Sequence, residues 1–436
     1  MNVVSIALKS IRQRFLASSL TGLSVALGVM MMVGVLVAYS VLSDAFQQRT
    51  IGYELVVGRQ GSDIQLVLST VYRIGNPPAN LPYRYYLQLL KDPLVKDAVP
   101  IAMGDTTEEG GFPLVGTTRE YFQMEYAPGK KFLIKPNGRG FEDAFDAIIG
   151  SRVAEENGWT YDDPNTSADE ASTFKLVHGG QDSGGHIHDE KFRVVGILKE
   201  TNTANDRTVF IYLGGFYAIA GHETPMDEAL RREREFFGED IPEVTDPMGD
   251  STPLAQKEVT AILVNTKGGV AGPMFAGKLK KGHRAQAVNP IQVMRDLMNL
   301  LVGPVKDALL FLTGLVIVVS GISIFVSIYN SMSDRKKEIA IMRALGAQRR
   351  TVFAIILIES IILCFGGGLI GALAGHAMIF TAAPYVEAAT GLIMNPWAFH
   401  PAEYVLLPGM VVLASLVGFI PGLTAYRTDV ARTLAD

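Results

Sequence analysis

Four long apolar stretches constrain this chain more than any other feature. Each can cross a hydrocarbon core of about 30 Å as a helix of roughly 20 residues. They run from Phe15 to Leu42, from Ala308 to Asn330, around Val352 to Ala383 (interrupted only by Glu359) and around Tyr404 to Thr424. Yet the chain also carries 44 acidic and 39 basic side chains beside its 48% hydrophobic residues. A protein with both properties is divided between lipid and water. The first stretch exceeds the 7–15 residues of a signal-peptide core and has no convincing small-x-small cleavage site after it, so it is expected to be a retained anchor.

Flanking charge sets the expected direction, because Lys and Arg collect on the cytoplasmic side. Lys9, Arg12 and Arg14 precede the first span, and Arg427 and Arg432 follow the fourth. Arg335, Lys336, Lys337, Arg343, Arg349 and Arg350 lie between the second and third, whereas the segment between the third and fourth holds only Glu387 and Glu403. Every loop agrees on cytoplasmic termini, with residues from about 43 to 305 outside. A net charge of −5 and the lack of a concentrated basic surface argue against a nucleic-acid partner. The single cysteine, Cys364, lies in an apolar run, so no intramolecular disulfide supports the outer domain.

That outer segment has the pattern of a mixed α+β domain. "YELVVG", "IQLVLSTVY", "FRVVGIL", "TVFIYL" and "VTAILVNT" are short β-branched or apolar runs between turn residues and are expected strands. "PYRYYLQLLKD", "DAIIGSRVAEENG" and "MDEALRREREFFGED" have helical patterns, the last expected as a solvated surface helix. Asn289-Pro290 has the form of a helix cap and first turn. Apolar positions at Ile291, Met294, Leu297, Met298 and Leu301 then continue through Gly303-Pro304 into the second span. That helix suits either a mechanical stalk or an ordinary core element.

The sharpest local signal is "SMSDRKKEIAIMRALGAQRRTVFAIILIES". Ser333 or Asp334 can cap a short helix, and Gly346 suits the position just past its end. Arg335 to Leu345 would span about 16 Å, with Ile339, Met342 and Leu345 on one face. A helix of this kind can lie on the membrane surface or dock in a partner's groove.

This segment resembles the loop of FtsX/MacB-type ABC transporter permeases, where "R-x-x-E-I-x-x-x-R-A-L-G-A" forms the coupling helix that docks on the nucleotide-binding subunit. Arg335, Glu338, Ile339, Arg343, Ala344, Leu345, Gly346 and Ala347 supply the pattern. The tail "PGLTAYRTDVARTLAD" resembles the family's C-terminus, with Val430 where the pattern has proline. "PLVGTTREYF", "NGRGFED", "AIIGSRVAEENG" and "FRVVGIL" follow the order of a MacB-like periplasmic core domain, and Gly221 to Lys257 looks like an insertion.

The resemblance implies four transmembrane helices plus a mixed α+β extracytoplasmic domain in a multi-pass bacterial inner-membrane protein. Its expected divisions are 1–43, 44–288, a stalk at 289–307, and 308–436 with the coupling helix in 331–350. It implies a separate ATPase partner, ATP and Mg²⁺ bound there rather than here, a homodimer or a heterodimer with a similar permease, and work done on a periplasmic cargo or protein. Arg335, Glu338, Ile339, Met342, Arg343, Leu345 and Gly346 are the expected coupling residues. The sequence has no G-x-x-x-x-G-K-[ST] phosphate loop, so no catalytic role is expected. The rival from another class is a membrane-anchored sensor or scaffold with no ATPase.

Several polar and small residues within or beside the spans invite two readings. Glu359, two turns into the third span, suits a structural hydrogen bond near the coupling helix better than proton transfer, because no acidic chain continues across the spans. His376 suits an interhelical hydrogen bond better than metal ligation. Gly367, Gly371 and Gly375, at four-residue spacing, form a close-packing face or line a path. His178, His186 and His188 in "HGGQDSGGHIHDEKF" are either candidate zinc ligands or part of a solvated glycine-rich loop.

Overall fold

A computed structural model describes residues 3–46, 52–76, 78–127, 129–161, 172–178, 186–219, 224–334, 336–390 and 399–427. The chain forms two compact units, one of residues 1–46 and 298–436, the other of residues 47–297.

The first unit is helical. An amphipathic helix, Val3–Gln13, precedes the first span, Phe15–Phe46. The second span is Gly303–Asp334, the third Arg349–Thr390 and the fourth Glu403–Arg427. Each contains one of the apolar stretches expected to cross a membrane and extends past it by a few polar residues. Their core joins Val25, Val29, Val33 and Val37 of the first span to Ile324 and Ile328 of the second, Ile356 and Leu363 of the third, and Met410 and Ala414 of the fourth.

The second unit is built on a nine-stranded mixed sheet. Its strands run in the order Ala285–Val288, Leu55–Arg59, Ala261–Thr266, Val95–Ala102, Leu114–Thr117, Val209–Tyr212, Asp146–Ile149, Phe192–Ile197, Thr173–Phe174. Only two neighbouring pairs are parallel, Val209–Tyr212 with Leu114–Thr117 and Phe192–Ile197 with Asp146–Ile149. One apolar core, around Val57, Tyr83, Ile262 and Phe275, lies toward one end of the sheet; another, around Leu114, Ile149, Phe192 and Ile211, lies toward the other. A separate three-stranded sheet pairs Asp105–Thr107, Leu176–His178 and His186–Ile187.

Three local expectations are corrected. "IQLVLSTVY" is a helix, Asp63–Tyr72, not a strand. Ser62 Oγ caps it by accepting from the Gln65 amide (3.3 Å), Asp63 favours its first turn, and Leu66, Val67 and Thr70 turn inward at helical spacing. The β-branched content of the run is outweighed by this cap and burial. "DAIIGSRVAEENG" divides, because its four fully buried residues Asp146–Ile149 join the sheet and only Ser151–Asn157 is helical. The charged helix Met226–Phe237 is not wholly solvated: Phe236 and Phe237 enter the core and Glu233 is buried, accepting a hydrogen bond from Arg84 Nε at 2.8 Å.

Asn289 caps the helix Pro290–Leu297, its side chain accepting from the Gln292 amide at 3.0 Å. A π turn, Met298–Val302, follows before Gly303. Pro304 explains it, since proline has no amide to donate and its ring crowds the carbonyl one turn back, so the ladder widens there.

Candidate functional site

The loop between the second and third spans folds as the helix Lys336–Ala344. Its end is a Schellman cap, in which the Gly346 amide donates to the Arg343 carbonyl at 3.1 Å and the Ala347 amide to Met342 at 3.0 Å. Gly346 has φ of 102°, a conformation that side chains resist and glycine adopts freely.

This cap corrects the expected apolar face. The helix closes at Ala344, so Leu345 leaves the face shared by Ile339 and Met342. Ile339 and Ala340 turn into the membrane-unit core, and Met342 packs partly against it. Leu345 is instead 84% exposed and Ile341 half exposed. Buried Ile339 holds the helix in place, half-exposed Ile341 borders the cavity behind it, and Leu345 is its outward apolar residue. Arg335 and the side chain of Glu338 lie outside the described residues.

Behind the helix is a cavity of about 350 Å³, lined by Lys9, Ser10, Met332, Met342, Ile355 and Glu359 among others. Glu359 is buried and accepts a hydrogen bond from Ser10 Oγ at 3.0 Å, which ties the third span to the N-terminal helix. Further along the third span, Gly367, Gly371 and Gly375 face Gly22, Ala26, Val29 and Val33 of the first. Each glycine lets the first span's backbone approach where a side chain would stand. His376 Nε2 meets Glu403 Oε2 of the fourth span at 2.9 Å, an interhelical hydrogen bond. Glu403 also accepts the His400 amide at 2.8 Å, while His400 Nδ1 accepts the Ala402 amide, a reciprocal arrangement like a capping box.

In the α/β unit the structure brings His178 and His188 together, with a residue that sequence reasoning missed. Asp105 pairs with His178 across adjacent strands, their Oδ1 and Nδ1 atoms 2.7 Å apart. The His188 ring lies 6.4 Å from that of His178, nearly perpendicular to it. One ligand atom from each of Asp105, His178 and His188 lies within 4.8 Å of the others. Backbone register sets His186 opposite His178, but the His186 side chain lies outside the described residues. No spacing motif points to Asp105, which is 73 positions from His178.

Among the described residues, four helices long and apolar enough to cross a membrane, with a large α/β domain between the first and second, mark a multi-pass membrane protein. Residues 18–280 match the MacB-like periplasmic core domain and residues 310–430 the FtsX-like permease C-terminal domain. The chain belongs to the MacB/FtsX family of ABC transporter permeases. It is 22% identical over 435 residues to an uncharacterised ABC transporter permease of Methanocaldococcus jannaschii, a match covering 97% of this chain and 93% of that one. It is 28% identical over 217 residues to the macrolide export ATP-binding/permease protein MacB of Rhodopirellula baltica, covering 49% of this chain but 29% of that protein. Among solved structures, the periplasmic region of MacB from Actinobacillus actinomycetemcomitans aligns at 13% identity with a TM-score of 0.33, covering 58% of this chain and 95% of that one.

Proposed function

We propose that this chain is the non-catalytic permease subunit of an ABC transporter driven by a separate nucleotide-binding subunit that binds ATP and Mg²⁺. The observation that carries the reading is the helix Lys336–Ala344, anchored by buried Ile339 and followed by exposed Leu345. A stable fold gains little from leaving a leucine 84% exposed at the end of a short helix, whereas a docking partner gains an apolar anchor.

On this reading the termini and the coupling helix are cytoplasmic, the α/β unit is periplasmic, and the subunit sits in a bacterial inner membrane. Two permease copies, identical or similar, assemble because four helices enclose no sizeable conduit. Closure of the ATPases pushes on the coupling helix, and the displacement leaves through the first and second spans to do work on a cargo or a periplasmic protein. The histidine cluster adds a metal-linked role. No described feature favours the ATPase-free sensor.

Deleting the whole helix would remove Ile339 from the core, so point changes test the reading more cleanly. Leu345→Glu and Leu345→Ser are expected to leave membrane insertion and thermal stability unchanged. Both should abolish co-purification of a phosphate-loop ATPase, and the ATPase activity that accompanies it, from native membranes. Unchanged recovery of the ATPase with both variants would overturn the assignment.

A further inference from the structure

We infer that Asp105, His178 and His188 form a Zn²⁺ site beside a cavity of the α/β unit. Two imidazoles and one carboxylate make an N₂O donor set, which suits Zn²⁺ and its transition-metal neighbours and disfavours Mg²⁺ and Ca²⁺, which prefer oxygen. The small sheet builds this set from three segments. Asp105 and His178 are cross-strand partners, and the His188 amide donates to the Leu176 carbonyl at 3.0 Å, continuing the register of the outer strand. Successive strand residues alternate faces, so His188, aligned with Leu176, comes to the side occupied by His178.

The three donors differ in freedom. Asp105 and His188 are each 4% exposed, so packing holds them in place. The His178 side chain is 65% exposed and can turn about χ1 and χ2. Ligand atoms on a tetrahedral Zn²⁺ stand roughly 3.3 Å apart for bonds of about 2.0–2.1 Å. Closing the set from within 4.8 Å therefore asks for side-chain shifts of about 1–2 Å, of which that of His178 is the freest.

Asp105 and His178 line a cavity of about 360 Å³ whose other walls include Asn80, Met103, Arg232 and Glu258. Among the described residues three ligands meet at the edge of this cavity, so the ion is reached from it. This site lies wholly within the α/β unit and stands whether or not the coupling helix engages an ATPase.

The test uses the full chain in nanodiscs, stripped with EDTA and titrated with Zn²⁺ against a chromophoric chelator. One Zn²⁺ per chain is expected, unaffected by millimolar Mg²⁺ or Ca²⁺. Asp105→Asn and His178→Ala should each weaken binding by about 100-fold or more, and His283→Ala, at an exposed helix end, should not. Asp105→Asn keeps an oxygen acceptor for His178, and His178 is exposed, so neither change threatens the fold; thermal midpoints without metal verify this. Co²⁺ provides a second readout, with visible absorption bands of nitrogen and oxygen ligation that vanish in both variants. Wild-type protein without a stoichiometric site, or Asp105→Asn binding as tightly as wild type, would overturn the proposal.

Discussion

Replacing Gly371 by alanine is expected to destabilise the membrane unit even though alanine is the better helix former. A Cβ built at Gly371 falls 2.9 Å from both Ala26 Cα and Val29 Cβ, and closer still to the Ala26 carbonyl oxygen. Ordinary contact begins at 3.4 Å, so the first span must retreat by half an ångström or more along this seam. Overpacking of this kind costs about 1–3 kcal/mol, and the neighbour here is backbone, which points to the upper end. The gain in helix propensity offsets only about 1 kcal/mol, leaving a net loss of about 2 kcal/mol. Gly366 provides the control, with nothing within 4 Å of its added Cβ, so Gly366→Ala should be neutral or slightly stabilising. Cys364, the only cysteine and fully buried, reports the result, because a thiol-reactive dye labels it only when the helices separate. Labelling during thermal or detergent denaturation in nanodiscs should rank the variants in the order Gly371→Ala least stable, then Gly367→Ala, then Gly375→Ala. That order follows the available space: at Gly367 the new atom lies 2.7 Å from the Gly22 carbonyl oxygen, while at Gly375 it meets chiefly the Val33 side chain at 3.0 Å. If Gly371→Ala behaved like Gly366→Ala, the two spans would not close on each other there, and the glycines would have to line a path instead.

Ser10→Ala should lower stability by about 1–3 kcal/mol, the range for removing one partner of a buried hydrogen bond. Glu359→Gln, which keeps an acceptor for Ser10, should retain both stability and partner ATPase activity; loss of activity with stability intact would instead implicate proton chemistry. In the α/β unit, burial opposes ionisation of Asp146, but Arg139 (Nη2 to Oδ1, 3.0 Å) and the Glu142 and Asp143 amides outweigh it and hold the carboxyl below its ordinary value. With the folded value depressed, its stabilisation is complete above the unfolded value near ~3.9 and is lost as pH falls through the folded one. Asp146→Asn should therefore cost about 1–3 kcal/mol at neutral pH and flatten the acid limb of urea unfolding followed by Trp159 fluorescence; an unchanged limb would contradict this account.

The membrane spans were legible because a bilayer admits one solution for a long uncharged run, and their ends differ from expectation only where polar turns continue the helix. Gly346 was legible for a similar reason, since few residues adopt its backbone conformation. The α/β unit was less so. In "IQLVLSTVY" the β-branched residues argued for a strand, while the decisive signal was Ser62 just before it, accepting the Gln65 amide. In "DAII" the helical pattern ran on through Gly150, but four buried residues in sequence had a place inside the sheet. Leu345 was assigned to the wrong side because a face extrapolated at helical spacing does not survive the cap. Asp105 could not be found at all, since strand pairing alone brings it to His178.

The third span collects most of the fixed points in the membrane unit. Ser10 and Glu359 hold its early turns to the N-terminal helix, three glycines seat it on the first span, and His376 joins it to Glu403 of the fourth. The second span differs. Its most apolar window is 22% buried, against 44% for the first and third, and it leaves Phe311, Leu312, Val319 and Ile322 exposed within the unit. Packed helices held at several points shift as one body, because close-packed interiors pass displacement on and do not absorb it. A helix held along one side has more freedom to slide or tilt. On the proposed reading, a push at Leu345 thus meets a rigid block on the side leading into the third span and a looser helix on the side of the second. On that reading the second span carries the larger displacement, on through the π turn at Met298–Val302, while the first moves with the third as one body. The proposal thus joins the glycine seam to the helix Lys336–Ala344, with the seam as the fixed support against which that helix works.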